Sequence, residues 1–332
     1  GDTGTQTVSF TVSIDKAHPT EDVKVDYYTT DDSASTSDAD YDGKTGSVTF
    51  PAATTSLSAI VTVTVNGDSV VELDEDFFVK LQTPSSNATI VDDTAVGTIT
   101  NDDSYGVSIS PATLSVPEGD VDGTVTADFT VSLSGSGDQD VTVVVGAAGS
   151  GVNPAGAGDF TAPSSPVLIS AATGSATVSV PITSDSVVEA DETFTVTLTG
   201  VVSGPAVVTG GSETATVTIT NDDTTTVTIS ATDSSAAEPS DDGLFTVSLG
   251  TGITSTTDTV VSLAVGGTAT NGTDYAAIGS SVMIPAGSNS ATIDVTVTND
   301  TEVEGDEMVV VTLDSISSGN SGITIGGSKS AT

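Results

Sequence analysis

The chain has 332 residues and a formal net charge of −41 at pH 7, because 46 acidic residues face five lysines and one neutral histidine. This charge excludes nucleic acids and anionic membranes as partners, since both would be repelled. The absence of cysteine excludes disulfides and thiolate metal sites. No apolar run approaches the roughly 20 residues that a membrane-spanning helix needs.

Short alternating segments run along the whole chain. In the first, residues 5–14, the side chains of Val8, Phe10, Val12 and Ile14 would share one face. Residues 125–133 and 244–249 match it, and residues 60–65, 176–182 and 291–297 alternate just before an acidic loop. Alternating Thr and Val, broken by Gly and Asn-Asp, predicts β-strands, and no segment has the sustained period of a long helix. Strands about 8–12 residues apart favour an antiparallel sandwich.

The acidic loop occurs three times. Its first aspartate is Asp68, Asp185 or Asp300, at intervals of 117 and 115 residues. The acids of the three loops are Asp68, Glu72, Asp74, Glu75, then Asp185, Glu189, Asp191, Glu192, and then Asp300, Glu304, Asp306, Glu307. A period of this length is typical of whole domains and too long for a solenoid unit. The sequence therefore predicts three domains, with boundaries at 1–103, 104–223 and 224–332.

Two further landmarks recur in register with the loop. An aspartate is followed by an aromatic residue at Asp40-Tyr41, Asp159-Phe160 and Asp274-Tyr275. A closing strand ends in Asn-Asp-Asp at 101–103 and 221–223. Aligning the repeats on these landmarks predicts that the first domain lacks its opening strand and the third lacks most of its closing strand. Either the chain is cut from a longer array, or neighbouring molecules donate the missing strands.

Carboxylates clustered without cationic side chains must be solvated, protonated or bound to metal. Ca²⁺ takes six to eight oxygen ligands, and the landmarks of the middle domain could supply them if loops at one end of a sandwich converge. The predicted ligands are Glu118, Asp159, Asp185, Glu189, Glu192, Asp222 and Asp223. We expect Asp74, Asp191 and Asp306 to be loop residues and not ligands. Adaptation to a salty environment also favours acidity, but it does not explain acids at fixed positions.

The pattern Asp185-x-x-x-Glu189-x-x-Glu192 before Phe194-Thr-Val-Thr-Leu198 resembles the Calx-beta domain family. Val116-Pro-Glu-Gly119, the Asp-aromatic pair and the closing Thr-Ile-Thr-Asn-Asp-Asp add to the resemblance, which covers nearly the whole chain. It implies an all-β fold of three tandem immunoglobulin-like antiparallel β-sandwiches that bind Ca²⁺ through these acids.

Transferred to the outer domains, the resemblance implies two partial ligand sets. The first domain has Asp40, Asp68, Glu72, Glu75, Asp102 and Asp103 but no first glutamate, and the third has Glu238, Asp274, Asp300, Glu304 and Glu307 but no terminal pair. Some relatives carry a further aspartate just before the loop, where this chain has Gly67, Ser184 or Asn299. Fewer or weaker ions per domain are therefore expected, and the best-formed site is expected in the middle domain.

Catalysis is disfavoured, because there is no tryptophan and the acids recur in every repeat instead of marking one unique site. The leading hypothesis is a calcium-stiffened segment of an extracellular fibre, surface layer or adhesin stalk, secreted or held at the cell surface. One alternative is a regulatory calcium-sensing module. Another is a filament subunit that exchanges strands with neighbouring subunits.

Overall fold

A computed structural model describes residues 1–120, 123 and 125–332 of the chain. These residues form strands, turns and bends, without a helix, which confirms the prediction of an all-β fold. It follows that the described part of the chain has no helix long and apolar enough to cross a membrane.

The first domain packs a two-stranded sheet on a four-stranded one. Its strands are β1 (Thr5–Ser13), β2 (Val23–Asp31), β3 (Thr45–Phe50), β4 (Ser58–Asn66), β5 (Val70–Val71), β6 (Glu75–Gln82) and β7 (Thr94–Ile99). The sheets are β1-β4 and β3-β2-β6-β7, both antiparallel. Alternate residues such as Phe10, Val12, Val61 and Val63 are buried between them, as the period-2 pattern predicts.

The middle domain has larger sheets. Its strands are β8 (Tyr105–Ser110), β9 (Thr113–Pro117), β10 (Val125–Ser134), β11 (Ser136–Gly137), β12 (Val141–Gly149), β13 (Val167–Ile169), β14 (Ser175–Ile182), β15 (Val187–Val188), β16 (Glu192–Ser203), β17 (Ala206–Val208) and β18 (Thr214–Thr220). One sheet has the order β14-β10-β8-β17 and the other β13-β12-β16-β18-β9. The pairs β8–β17 and β9–β18 are parallel, and the others are antiparallel. In the first domain β1 corresponds to β10, and among the described residues it pairs with β4 alone.

The third domain repeats this arrangement. Its strands are β19 (Thr225–Asp233), β20 (Gly243–Ser248), β21 (Thr254–Ser255), β22 (Thr259–Gly267), β23 (Ser281–Ile284), β24 (Ser290–Val295), β25 (Val309–Ser318), β26 (Ile323–Ile325) and β27 (Ser330–Ala331). The sheets are β24-β20-β19-β26 and β23-β22-β25-β27. The closing strand β27 pairs with β25 over only two residues.

The aromatic residue after each predicted aspartate ligand lies in a hydrophobic core. Tyr41, Phe160 and Tyr275 are buried, and Tyr41 and Phe160 stack on Phe77 and Phe194 at ring-centroid distances of 4.4 and 4.3 Å. Stacking fixes the backbone beside these rings. The preceding aspartate is thereby held at the end of the sandwich that carries the acidic loop.

Successive domains are joined through the acidic loops as well as through the chain. In the first loop, β5 pairs in parallel with β11 of the middle domain, and in the second loop β15 pairs in parallel with β21 of the third domain. Val71 is 1% exposed and Val188 is 0% exposed, and each belongs to the hydrophobic core of the following domain. We call these two contacts the interdomain latches.

Each latch also has hydrogen bonds to the carbonyl oxygen of its buried valine. Asp138 N–H donates to the Val71 carbonyl at 3.2 Å, and Thr256 N–H donates to the Val188 carbonyl at 3.3 Å. At the second latch, the buried Asn320 side chain donates to the same Val188 carbonyl at 2.6 Å and to Ser255 Oγ at 2.8 Å. Buried polar side chains in stable folds are hydrogen-bonded. The two hydrogen bonds of the Asn320 side chain therefore stabilise the junction.

Candidate metal centre

Six of the seven acids predicted for the middle domain form two compact groups. Glu118, Asp222 and Asp223 form one, and Asp159, Glu189 and Glu192 form the other; in each group, one carboxylate oxygen per residue lies within 4.8 Å of the others. The two groups are close enough that the charge of Glu189 raises the pKa of Glu118. The six residues therefore line one continuous acidic site.

Strand ends bring these acids together. Glu118 follows β9, and Asp222 and Asp223 follow its parallel neighbour β18, so the two strands deliver their acids to the same edge. Glu189 follows the latch strand β15, and Glu192 begins β16. The site is thus assembled from segments more than 100 residues apart in sequence.

Asp185, the seventh predicted ligand, has a different position. Its Oδ1 accepts a hydrogen bond from Val187 N–H at 2.7 Å, which closes a turn at the start of the loop. Asp68 and Asp300 make the same contact with Val70 and Glu302 at 2.8 and 2.7 Å. Asp185 is outside both compact groups, although its charge raises the pKa of Glu118 and Asp223.

Burial and mutual repulsion disfavour the ionised forms of these carboxyls. Burial first, then the charges of Glu189 and Asp185, raises the pKa of Glu118 to about 8. Burial and the neighbouring Asp159 raise the pKa of Glu192 to about 7. The pKa values of Glu189 and Asp223 are also raised, mainly by burial. A bound cation would reverse these shifts, because it favours the charged carboxylates.

Unpartnered oxygen atoms indicate that the site fits a cation. Glu118 is 3% exposed, and its Oε1, together with Glu192 Oε2 and Asp223 Oδ2, is buried without a hydrogen-bond partner among the described residues. Leaving such acceptors unsatisfied is costly. Since every candidate ligand atom is a carboxylate oxygen, the set suits a hard divalent cation such as Ca²⁺.

The first domain brings together part of its predicted set. Asp40, Asp68 and Glu72 offer oxygens within 4.8 Å of one another, and burial followed by the charge of Asp40 raises the pKa of Glu75 to about 7. Asp102 lies outside this group and accepts a hydrogen bond from the Gly1 nitrogen at 2.7 Å, at the position where Asp222 accepts one from Gly119 N–H at 3.2 Å. Burial and nearby acids raise the pKa of Asp103.

The third domain has a more open cluster. Asp274, Glu304 and Glu307 offer oxygens within 4.8 Å of one another, but both glutamates are exposed. Glu238 lies beside Asp300, whose backbone N–H donates to Glu238 Oε1 at 3.1 Å. The predicted acids of this domain therefore lie at one end of the sandwich, with less burial than in the middle domain.

Two asparagines that the sequence reasoning did not single out hold the loops in place. Asn221 Oδ1 accepts from Glu189 N–H at 3.1 Å, and Asn221 Nδ2 donates to the Asp223 carbonyl at 3.0 Å. Asp191, expected to be a loop residue and not a ligand, accepts from Asn221 N–H at 3.1 Å. Asn101 makes the equivalent contacts with Glu72, Asp103 and Asp74. In the sequence, the asparagine that recurs at the start of the Asn-Asp-Asp motif could have predicted this role.

The raised pKa values predict how the metal-free protein responds to pH. Glu118, Glu192 and Glu75 have folded pKa values of about 7 to 8, above the ordinary value of a glutamate in the unfolded chain. Their contribution to the free energy of unfolding is therefore fully present below about pH 4.5 and is lost as the pH rises through about 7 to 8. We expect calorimetry in chelator to show a melting temperature that falls between about pH 5 and about pH 8.

The same experiment with calcium should show the opposite trend, because cation ligands must be deprotonated and calcium binding therefore strengthens as the pH rises. A metal-free melting temperature that stays constant or increases over this interval would contradict the description of the site as buried and mutually repelling carboxyls.

Comparison with known proteins gives one family. A sequence model of the Calx-beta domain matches three times, at residues 2–104, 100–223 and 220–332. Similar solved structures include calcium binding domain CBD12 of CALX1.1, with a TM-score of 0.30 and 17% identity over 64% of this chain and 92% of that chain. CBD12 from CALX1.2 has a TM-score of 0.30 and 18% identity over the same shares. The apo-form Calx CBD1 domain has a TM-score of 0.27 and 28% identity over 29% of this chain and 83% of that chain. No curated protein matches the chain.

Proposed function

Because the chain belongs to the Calx-beta family, as three domains in tandem, we propose that it is a calcium-binding structural segment whose ions stiffen the array at the domain junctions. Glu118, Asp159, Glu189, Glu192, Asp222 and Asp223 would hold calcium in the middle domain. The buried unpartnered oxygens of Glu118, Glu192 and Asp223 support this choice.

One observation carries the stiffening part of the proposal: the loop that supplies the acids also supplies the latch. Between Asp185 and Glu189 lies Val188, which is buried in the core of the third domain. In the first loop, Val71 lies between Asp68 and Glu72 and is buried in the middle domain. An ion bound by the glutamate that directly follows each valine, Glu72 or Glu189, would hold the loop in its latched conformation, and with it the next domain.

The setting that we propose is outside the cell, either at its surface or secreted, in a fibre, surface layer or adhesin stalk. Calcium-binding modules in that setting work at weak affinities, on the order of 10⁻⁴ to 10⁻³ M. The repeated sites, the direct connections between domains and the absence of cysteine all suit a spacer that depends on ions for its stiffness. Equivalent acids in every domain support a shared structural role over catalysis.

Small-angle scattering and calorimetry in calcium, in magnesium and in chelator test this proposal. We expect calcium to raise the melting temperature, since ligand binding to the folded form stabilises it, and to narrow the distribution of molecular lengths around an extended form. Magnesium should do less, because it prefers fewer carboxylates and a rigid octahedron.

Identical stability and length in calcium and chelator would refute the ion-dependent function. Micromolar affinity with a large conformational change would instead favour a regulatory sensor.

A further inference from the structure

The two interdomain latches have the same backbone arrangement but differ in one side chain. At the first latch the residue whose N–H donates to the Val71 carbonyl is Asp138, and at the second latch the residue that donates to the Val188 carbonyl is Thr256. Both donors directly follow the strand that pairs with the latch. The same position therefore carries a carboxylate at the first latch and a neutral hydroxyl at the second.

Neutral side chains close the second latch. The Asn320 side chain of the third domain is 9% exposed, and its Nδ2 donates to the Val188 carbonyl of the middle domain at 2.6 Å and to Ser255 Oγ at 2.8 Å. Thr256 Oγ1 lies 3.4 Å from the same nitrogen. Hydrogen bonds of this kind, shielded from water, rigidify a contact when all of them are made. None of them requires an ion.

The first latch has no equivalent side-chain bond between its domains. The Tyr105 hydroxyl, which is close to Gly137 of β11, accepts from Gln139 N–H at 3.3 Å, and the Gln139 side chain donates to Asp138 Oδ1 at 2.5 Å. All of these residues belong to the middle domain. Within the described residues, the hydrogen bonds that cross the first latch are made by backbone groups alone.

Like charges face each other across the first latch. Burial, followed by the charges of Asp40, Asp68 and Asp138, raises the pKa of Glu72. Asp138 belongs to the middle domain and the other three acids to the first, and neither of the two ion pairs among the described residues involves them. Such a juxtaposition disfavours closure of an interface. An ion held by Asp40, Asp68 and Glu72 would offset most of the negative charge that Asp138 meets.

At the second latch, the repulsion between acids acts within one domain. Burial, followed by the charges of Asp185, Asp159 and Asp223, raises the pKa of Glu189, and all of these acids belong to the middle domain. Their repulsion strains the metal site without pushing the third domain away. The charge of Asp138 thus has no counterpart at the position of Thr256.

We propose that the first junction is the calcium-dependent hinge of the chain, whereas Asn320 keeps the second junction closed with or without calcium. The inference rests on the proposed function and assigns its stiffening effect to one junction. In chelator, the first domain would move relative to the middle one, while the middle and third domains would remain a rigid pair.

Distances between spin labels on the full chain test the two junctions separately. Because the chain has no cysteine, labels can be attached through Thr49→Cys, Thr130→Cys and Ser281→Cys, which are exposed strand positions in the three domains. The pair at 49 and 130 reports on the first junction, and the pair at 130 and 281 on the second. We expect calcium to narrow the first distance distribution and to leave the width of the second unchanged.

Asp138→Thr gives the first latch the residue of the second. We expect the variant to narrow the first distance distribution in chelator towards its width in calcium, because the charge that repels the acid group is removed. Asp128→Thr is the matched control, since it removes an exposed carboxylate from β10 of the same domain, and it should leave both distributions unchanged. A first junction that stays equally broad in Asp138→Thr would overturn the role of this charge.

Asn320→Ala should broaden the second distance distribution both in calcium and in chelator, with unchanged calcium affinity. Asn289→Ala removes an exposed amide from the same domain and is the control. Calorimetry shows whether the third domain of the variant is folded; if it is not, Ser255→Ala removes one acceptor of the Asn320 amide and should broaden the distribution less. A second junction that remains narrow in the folded variant would overturn the role of Asn320.

The two levels of the argument can fail separately. Equal narrowing of both distributions by calcium would overturn the assignment to the first junction and leave the proposed stiffening function standing. Calcium that binds in a calorimetric titration but narrows neither distribution would reject the stiffening function itself, and the hinge with it.

Discussion

Glu118→Gln is expected to stabilise the metal-free middle domain and to remove most of its response to calcium. Glutamine keeps the size of the side chain but removes a carboxyl whose pKa is about 8 because of burial and the charges of Glu189 and Asp185. Its amide can also donate to the Glu189 carboxylate. At about pH 8, we expect the metal-free melting temperature to rise by several degrees and the calcium affinity to fall about tenfold or more.

Scanning calorimetry with chelator and with calcium measures both effects. Glu213→Gln is a suitable control, because Glu213 Oε2 is also buried without a partner among the described residues but lies outside the acid groups. The control should leave the calcium response intact. If Glu118→Gln destabilises the metal-free protein and preserves the calcium response, Glu118 is not a ligand.

The strands and the gathering of the acids could be predicted from sequence because both follow local rules. Alternation puts Val61 and Val63 on the buried face of β4. Acids placed directly after strands meet where neighbouring strands end together, as Glu118 and Asp222 do after the parallel pair β9 and β18. Repetition of these signals at intervals of 117 and 115 residues makes chance an inadequate explanation.

The latches could not be predicted, because burial of a loop valine depends on a neighbouring domain and not on the loop. Val188 and Val303 stand in similar acidic surroundings, yet one is buried and the other is fully exposed. The partner strand β21 has two residues and no alternating pattern to reveal it. The position of Asp185 outside the acid groups could not be predicted either, because Asp68 makes the same turn contact and lies inside one.

Val188→Asp is expected to release the third domain from the middle one. The substitution places a carboxylate in the hydrophobic core of the third domain, where Val188 is 0% exposed, and burying an unpaired charge is among the most destabilising changes. The loop should therefore leave the core. We expect a lower melting temperature for the third domain and a broader length distribution in scattering, even with calcium present.

The equivalent substitution at the end of the chain provides the control. Val303→Asp introduces the same carboxylate at the same loop position, but Val303 is fully exposed, so stability should change by less than about 0.5 kcal/mol at dilute concentration.

Val188→Ala should give an intermediate loss of about 1–3 kcal/mol by leaving a cavity. Calcium titration of Val188→Asp separates loss of the latch from loss of the ion, because the acids beside it are retained. Unchanged stability and length distribution in Val188→Asp would mean that the buried valine does not join the two domains, and that any stiffening by calcium acts through the chain connection between β18 and β19 instead.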